Sequence, residues 1–450
     1  MTTINRSRMK MLMEREVRHY VAERPKSRAL FERAKASLLG GVPMNWMKAW
    51  PGPFPFFAKE AKGAYVTDVD GHRYVDFQLG DNGALYGHSP IALVDAVRDQ
   101  VSRGVTLFLP TEDSIWVGEE LARRFGLPYW QIYMTATDAN RFALKIAREI
   151  TKREWILVFN GCYYGTVDET LVSLKDGIVG PNPECIGPLP NATLRTRVIE
   201  FNDLDALEAA LSSQDIACVL CEPAMTNVGI IHPEPGYHVA LREMTRRFGT
   251  LLILDEAQNI AGGLGGLTRA WNLEPDIFTL GKPIASGFPA AVMGVSQKVA
   301  ERFLSQTIVA DGVSGIGGTL AANALAVAAI RVTLEHVMTE SAYERMMAIA
   351  DRLVGSINRI IESANLQWHV ARYGCRVECK YCPTPPRNAT ESEGAFDSEL
   401  DSLIHLFFLN RGILTGQWHY VRWLVGAQTT AEDIDCCSRV FGECVKELIG

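Results

Sequence analysis

The sequence predicts an α/β protein. A large domain carries a mostly parallel sheet covered by helices, and a smaller α+β domain is drawn from the N- and C-terminal segments. Three observations carry this. Leu251-Leu252-Ile253-Leu254 and Ile277-Phe278-Thr279-Leu280 are apolar runs long enough for strands buried on both faces and too short for helices. Such runs alternate with helical patterns over about 200 residues, the signature of a doubly covered parallel sheet. The chain has 450 residues, room for more than one domain. The expected division is an N-terminal arm with part of the small domain over 1–80, a large domain over 81–325, and a C-terminal small domain over 326–450.

Composition narrows the function classes. With 47% hydrophobic and 22% charged residues this is an ordinary globular composition, and a net charge of −7 gives no reason to expect nucleic acid or an anionic membrane as partner. No apolar run approaches the roughly 18 residues that span a bilayer. The N-terminus has no apolar h-region and contains Glu14 and Glu16, against a transit peptide, so a cytoplasmic protein is expected. The ten cysteines form no secreted framework. Cys375-x3-Cys379-x2-Cys382 has the spacing of radical iron–sulfur enzymes, but Arg376-Val377-Glu378 alternates as an edge strand does, and reduced structural thiols with no metal are expected.

In chain order, residues 8–40 read as an amphipathic helix broken at Pro25 and ended by Gly40-Gly41 as a C-cap. The proline- and aromatic-rich stretch 42–57 is an irregular segment, either a pocket wall or a packed arm. Asp68-Val69-Asp70-Gly71 between two alternating runs reads as a β-hairpin over 64–77. Helices follow at 92–101 and 116–125, then a strand at 131–134 and a helix with Ala139, Phe142, Ala143, Ile146, Ala147 and Ile150 on one face. Further strands are expected at 156–159, 197–201, 217–221 and 291–295, with a helix at 204–211 between the second and third of these. Residues 321–361 are strongly helical, 383–394 a loop, and 398–409 and 430–448 helices. The glycine-rich pieces at 262–266 and 315–318 do not complete G-x-G-x-x-G after a strand, which excludes a dinucleotide fingerprint.

Chemistry gathers at strand ends. Asp255 follows one apolar run and Lys282 the next, 27 positions on. In an open α/β sheet ligands sit outside the carboxyl ends of the strands. A buried Asp there can hold a protonated pyridine nitrogen, and a partly desolvated Lys can form a Schiff base. Thr135-Ala136-Thr137-Asp138-Ala139, between strand and helix, is either a plain N-cap or an anion site built from hydroxyls and first-turn N–H groups.

With these pieces placed, the chain resembles the class III aminotransferases of fold type I, closest to glutamate-1-semialdehyde aminomutase-like transaminases. The resemblance runs from Gly40 to the C-terminal domain. It rests on Gly63-Ala64 with Asp68-Val69-Asp70-Gly71, Gly87-His88, Thr137-Asp138-Ala139, Gly161-Cys162-Tyr163-Tyr164-Gly165, Glu222-Pro223, Asn227-x-Gly229, Asp255-Glu256, Pro275-Asp276, Leu280-Gly281-Lys282, Gly287-x-Pro289 and Gly318-Thr319. It implies a pyridoxal 5′-phosphate enzyme acting on an amine or amino acid and a keto acid. By the resemblance Lys282 links the cofactor and shuttles the proton, and Asp255 holds the pyridinium N–H. Thr135, Ala136 and Thr137 take the phosphate, Tyr163 stacks on the ring, and Asn227 lies near the ring hydroxyl. Glu222 and Gln258 belong to the same cofactor set. Thr319 resembles the residue that reaches the neighbouring subunit's phosphate, which implies a homodimer with shared sites.

Four departures from the family pattern bear on substrate. The phosphate loop reads Thr135-Ala136-Thr137-Asp138-Ala139 where Ser-Gly-Thr-Glu-Ala is usual, Tyr164 replaces a His, Ala257 a Val, and Ala322-Asn323-Ala324 a Gly-Asn-Pro. None removes a catalytic atom. Lys48-Ala49-Trp50 resembles the segment whose Arg holds the substrate carboxylate, and a Lys lacks Arg's bidentate fork. Lys48, Trp50, Tyr164 and Arg376 are therefore the substrate candidates, with Trp46, Trp418 and His419 as further members of an aromatic pocket. An aminomutase or epimerase on the same scaffold is the alternative to transamination, and a non-catalytic binding protein the remaining one.

Overall fold

The computed structural model describes residues 4–187, 195–305, 315–416 and 420–450. The chain forms two compact units, one of residues 1–90, 341–385 and 395–450, the other of residues 91–340 and 386–394.

The second unit is organised by a seven-stranded sheet in the order Tyr129–Tyr133, Ala291–Val295, Ile277–Leu280, Leu251–Asp255, Ile216–Cys221, Trp155–Phe159, Thr196–Ile199. Ala291–Val295 runs antiparallel to both neighbours, and every other pairing is parallel. The exception has a simple cause. The link from Leu280 to Ala291 is too short for the dozen or more residues of a parallel crossover, so the chain must turn back on itself. Side chains of Leu251–Asp255 alternate between two cores. Leu251 and Ile253 pack with the helix Ala136–Thr151, while Leu252 and Leu254 pack with Leu241 of the helix Tyr237–Phe248. Burial on both faces is why these strands are unbroken apolar runs.

The first unit holds the helices Arg6–Glu23 and Pro25–Ala34, then a four-stranded sheet in the order Ala58–Lys62, Tyr65–Asp68, Arg73–Asp76, Ile413–Leu414. A three-stranded sheet runs in the order His369–Tyr373, Arg376–Lys380, Val421–Leu424, accompanied by the helices Ser398–Leu409 and Ala431–Ile449. Among the described residues no helix is long and apolar enough to cross a membrane.

Five local expectations are corrected. The second N-terminal helix ends at Ala34, and Gly40 and Gly41 (φ +71° and +79°) make a later turn. A Cβ on Gly41 would lie 2.6 Å from the Phe31 ring, so these glycines serve a close return of the chain instead of a cap. The edge strand Ala58–Lys62 was not expected, because its polar sequence AKEAK is that of a solvated edge. Arg376–Lys380 is the central strand of its sheet, not an edge. The helical region 321–361 is interrupted by a wide turn at Thr333–Val337 between Ala324–Val332 and Glu340–Ser363. The expected loop 383–394 contains most of a short helix, Ala389–Ala395, whose Ala389 is fully buried in the second unit's core.

Candidate functional site

At the carboxyl end of the strand Leu251–Asp255 the chain passes from apolar core to charge. Asp255 is 4% exposed. One oxygen accepts the Ala257 N–H at 2.8 Å and the other the Asn140 Nδ2–H at 2.6 Å. Burial pushes this carboxyl above its ordinary value; the Ala257 N–H, the Asn140 amide and the charge of Lys282 pull the other way. Lys282 belongs to the adjacent parallel strand's end, where Thr279 stands in register with Asp255. The two groups that the sequence placed at neighbouring strand ends are thus brought within electrostatic reach.

The backbone around Lys282 is shaped for close approach. A Cβ on Gly281 would lie 2.9 Å from the Ala136 Cβ, so only glycine lets this loop rest on the start of the helix Ala136–Thr151. Lys282 itself, half-buried, opens a tight turn with φ +50°, a conformation that costs a non-glycine residue energy and commonly marks functional sites.

Thr135 caps that helix. Its hydroxyl accepts the Asp138 N–H at 3.1 Å and donates to the Asp138 carboxylate at 2.9 Å. The Thr135 side chain is therefore committed locally, which redistributes the expected anion site. What faces outward is backbone: the N–H groups of Ala136 and Thr137 donate to no described residue. The Thr137 hydroxyl accepts the Thr166 N–H at 3.2 Å and keeps its own proton to give. Gly165 (φ +74°) crowds that side chain, since a Cβ there would come within 2.0 Å of the Thr137 Oγ1. Two glycine-bearing loops and a helix N-terminus make a cradle suited to a phosphate.

The other residues of the expected cofactor set lie in the same unit. Tyr163 is half-buried beyond the end of the strand Trp155–Phe159. Asn227 donates to the Gly161 carbonyl at 3.0 Å. Glu222 is buried, holding the Thr226 hydroxyl and N–H and the Asn259 amide. Gln258 is half-buried just beyond Asp255, and Thr319 is exposed.

The substrate candidates fare differently. Tyr164 is 2% exposed, its ring within the apolar core, which leaves it no open surface to offer a substrate. Lys48 is exposed in the first unit with its ammonium folded over Gly40. Trp50 packs edge-on to Phe56 at 5.3 Å. Arg376 is 1% exposed and its guanidinium grips Glu378 at 2.7 and 3.0 Å, so its charge is already matched by a fixed carboxylate. Trp46 is 44% exposed, and Trp418 and His419 lie outside the described residues. Cys375 and Cys379 are buried in the Arg376 region, and no group of three or more His, Cys, Asp or Glu suited to a metal occurs among the described residues.

Sequence reasoning missed Asn140 and Thr279. Asn140 is fully buried, and its Oδ1 accepts the Thr279 hydroxyl at 2.7 Å. The available signal was an amide set into an otherwise apolar helix face, next to Ala139 and Ala143.

The model of the family described as Aminotransferase class-III matches residues 46–444. A curated glutamate-1-semialdehyde 2,1-aminomutase from Neisseria meningitidis is 33% identical over 430 residues, 93% of this chain and 98% of the relative. A solved glutamate-1-semialdehyde aminomutase variant from Pseudomonas aeruginosa in complex with PMP is 45% identical, with TM-score 0.96 over 99% of each chain. An omega-transaminase from Sphaerobacter thermophilus is 26% identical, with TM-score 0.87 over 96% of this chain and 100% of that one.

Proposed function

Because the chain belongs to the class III aminotransferases, which are pyridoxal-phosphate enzymes of fold type I, we propose that it moves an amino group between an amine or amino acid donor and a keto acid or aldehyde acceptor, with Lys282 and Asp255 as its catalytic pair. The observation that carries this reading is their convergence at the ends of two adjacent parallel strands. The chemistry of the donor set fits the cofactor: a buried carboxylate for a ring N–H, an amine beside it, and a cradle of free N–H groups for a phosphate. Bound pyridoxal phosphate supplies an electron sink for the carbon that loses its proton.

The chain's own residues do the rest. Lys282 would hold the cofactor covalently and, as a free amine, would carry the proton between substrate atoms. Asp255 would accept from the ring nitrogen and keep it protonated. The N–H groups of Ala136 and Thr137 and the Thr137 hydroxyl would take the phosphate. Tyr163 would cover the ring, Asn227 would serve its hydroxyl, and Gln258, just beyond Asp255 in the chain, would line the same site. Glu222 supports this wall through Thr226 and Asn259. Thr319, exposed on its loop, is proposed to serve the site of a second copy, which makes the working form a homodimer.

A second reading, an aminomutase that needs no external acceptor, is favoured by the names of the relatives at 33% and 45% identity. Lys48 and Ala257, where the aminomutases resembled in sequence carry Arg and Val, favour a different substrate. One titration separates the two. The visible absorption of the purified protein is followed while amines and amino acids are added, with Lys282→Ala as control. Bleaching by a donor that reverses only with a keto acid supports transamination. Turnover without any keto acid replaces it by the mutase reading, and no visible band after soaking in cofactor overturns both.

A further inference from the structure

Asn140 has no part in the proposed chemistry as stated, yet it touches its centre. It is fully buried on the helix Ala136–Thr151, between Asp255 on one side and Thr279 on the other. We infer that Asn140 is a positioning residue that keeps the Asp255 carboxylate an aimed acceptor for the cofactor's ring N–H, with Thr279 bracing the amide from its other end. This rests on the function proposed above and adds to it.

The hydrogen-bond chain allows one order only. The Asp255 carboxylate accepts, so the atom facing it at 2.6 Å must be the Asn140 Nδ2. That leaves Oδ1 toward Thr279, whose hydroxyl donates at 2.7 Å. A flipped amide would set two acceptors against each other at Asp255, so the carboxylate fixes the order and the Thr279 hydroxyl, donating to Oδ1, braces the amide from its other end. The second Asn140 N–H points to the Tyr164 carbonyl at 3.5 Å. With Ala257 N–H on its other oxygen at 2.8 Å, Asp255 has one neutral donor on each oxygen. A carboxylate has roughly four lone-pair sites, so capacity remains for a cationic N–H. Among the described residues the ionisable groups that act on Asp255 are Lys282, Glu256, Tyr164 and Cys221. Burial keeps the phenol and the thiol neutral, and Glu256 is pushed up to about 8 and tied to Thr268 and Leu267. Of these, Lys282 alone favours an ionised Asp255, and it is the group the reaction displaces. Asn140 is a neutral donor whose hold on the carboxylate does not depend on the state of Lys282.

The test uses the holoenzyme and three variants: Asn140→Leu, Thr279→Val and Thr279→Ser. Cofactor dissociation constants and the visible spectrum are measured from acid to neutral pH, with thermal stability as the control for packing. Asn140→Leu should weaken the cofactor about tenfold or more, the size expected when a hydrogen bond to a charged group is lost. The loss should deepen as pH falls, because an unsupported Asp255 takes up a proton at higher pH and stops accepting. Thr279→Val should move the same way by less, and Thr279→Ser should restore the wild-type profile. If Asn140→Leu binds cofactor like the wild type at every pH, whatever its stability, the role is structural and the inference falls. If Asn140→Leu does not fold, coincident profiles for Thr279→Val and Thr279→Ser overturn it. If the unaltered protein binds no cofactor, both readings fall together.

Discussion

Two helices, one in each unit, begin with the same device. Thr135-Ala136-Thr137-Asp138 opens Ala136–Thr151, and Thr430-Ala431-Glu432-Asp433 opens Ala431–Ile449. In both, the threonine hydroxyl accepts the N–H three residues on, at 3.1 and 3.2 Å, and donates to that residue's carboxylate at 2.9 Å. At Thr430 the Asp433 carboxylate also takes the Thr430 N–H at 2.9 Å and completes a capping box, but the shared hydroxyl exchange cannot by itself distinguish an anion site from a helix start. Two things do. The second unit's helix has Thr137 at its second position, where the other has Glu432 and already balances its own dipole. And glycines 165 and 281 bring two loops onto Thr137 and Ala136, whereas the Asp433 carboxylate is covered by the Tyr65 hydroxyl at 2.9 Å. An anion site is a cap that other backbone has been brought to meet.

The severest way to break the comparison is to leave both caps intact and remove the amine that the Gly281 loop delivers. Lys282→Ala should keep fold and thermal stability and lower turnover by at least about 10⁴-fold, the upper range of a lost proton-transfer group. Steady-state rates with the donor identified by the titration would check it. A rate within tenfold of wild type would remove Lys282 from the chemistry.

The next test attacks the approach of the loop. Gly165→Ala forces a Cβ to within 2.0 Å of the Thr137 Oγ1 at φ +74°, so Thr137 or the loop must move. Cofactor affinity should fall about tenfold, on top of roughly 1–2 kcal/mol for a left-handed alanine. Tyr65→Phe at the other helix start should cost about 1 kcal/mol of stability and leave affinity unchanged. Fluorescence titration and calorimetry read the two effects separately. Equal affinity in Gly165→Ala and wild type would show that the cradle is not where the phosphate sits.

What was legible in the sequence follows the same division. Asp255, Gly281 and Lys282 stand where an apolar run stops, and a strand end is visible in one dimension. Thr135 to Asp138 was legible as a cap or an anion site and no further, because the deciding residues, Gly165 and Gly281, lie far along the chain. Asn140 was silent for the same reason: its partners are 115 and 139 positions away and meet it only through the register of two parallel strands. Tyr164 and Arg376 attracted attention by chemistry that burial then spends, one in a core and one on Glu378. In the fold, the strands buried on both faces were plain, whereas Ala58–Lys62 is held at a sheet edge by backbone pairing with Tyr65–Asp68 and carries no apolar signal.

The smallest expected effect sharpens the comparison most directly. Thr135→Ala and Thr430→Ala each delete one capping hydroxyl, and each should cost about 1 kcal/mol of stability. Each loses the same hydroxyl-to-N–H bond, which makes the stability losses alike. Only Thr135→Ala should also weaken the cofactor, by roughly two- to threefold, because the Asp138 carboxylate loses its donor and leaves more negative charge beside an anion's seat. Raising the salt concentration should shrink that difference and leave the stability losses nearly equal. If both variants bind cofactor like the wild type, the phosphate is held without help from this cap and Thr135 is a cap of the same kind as Thr430.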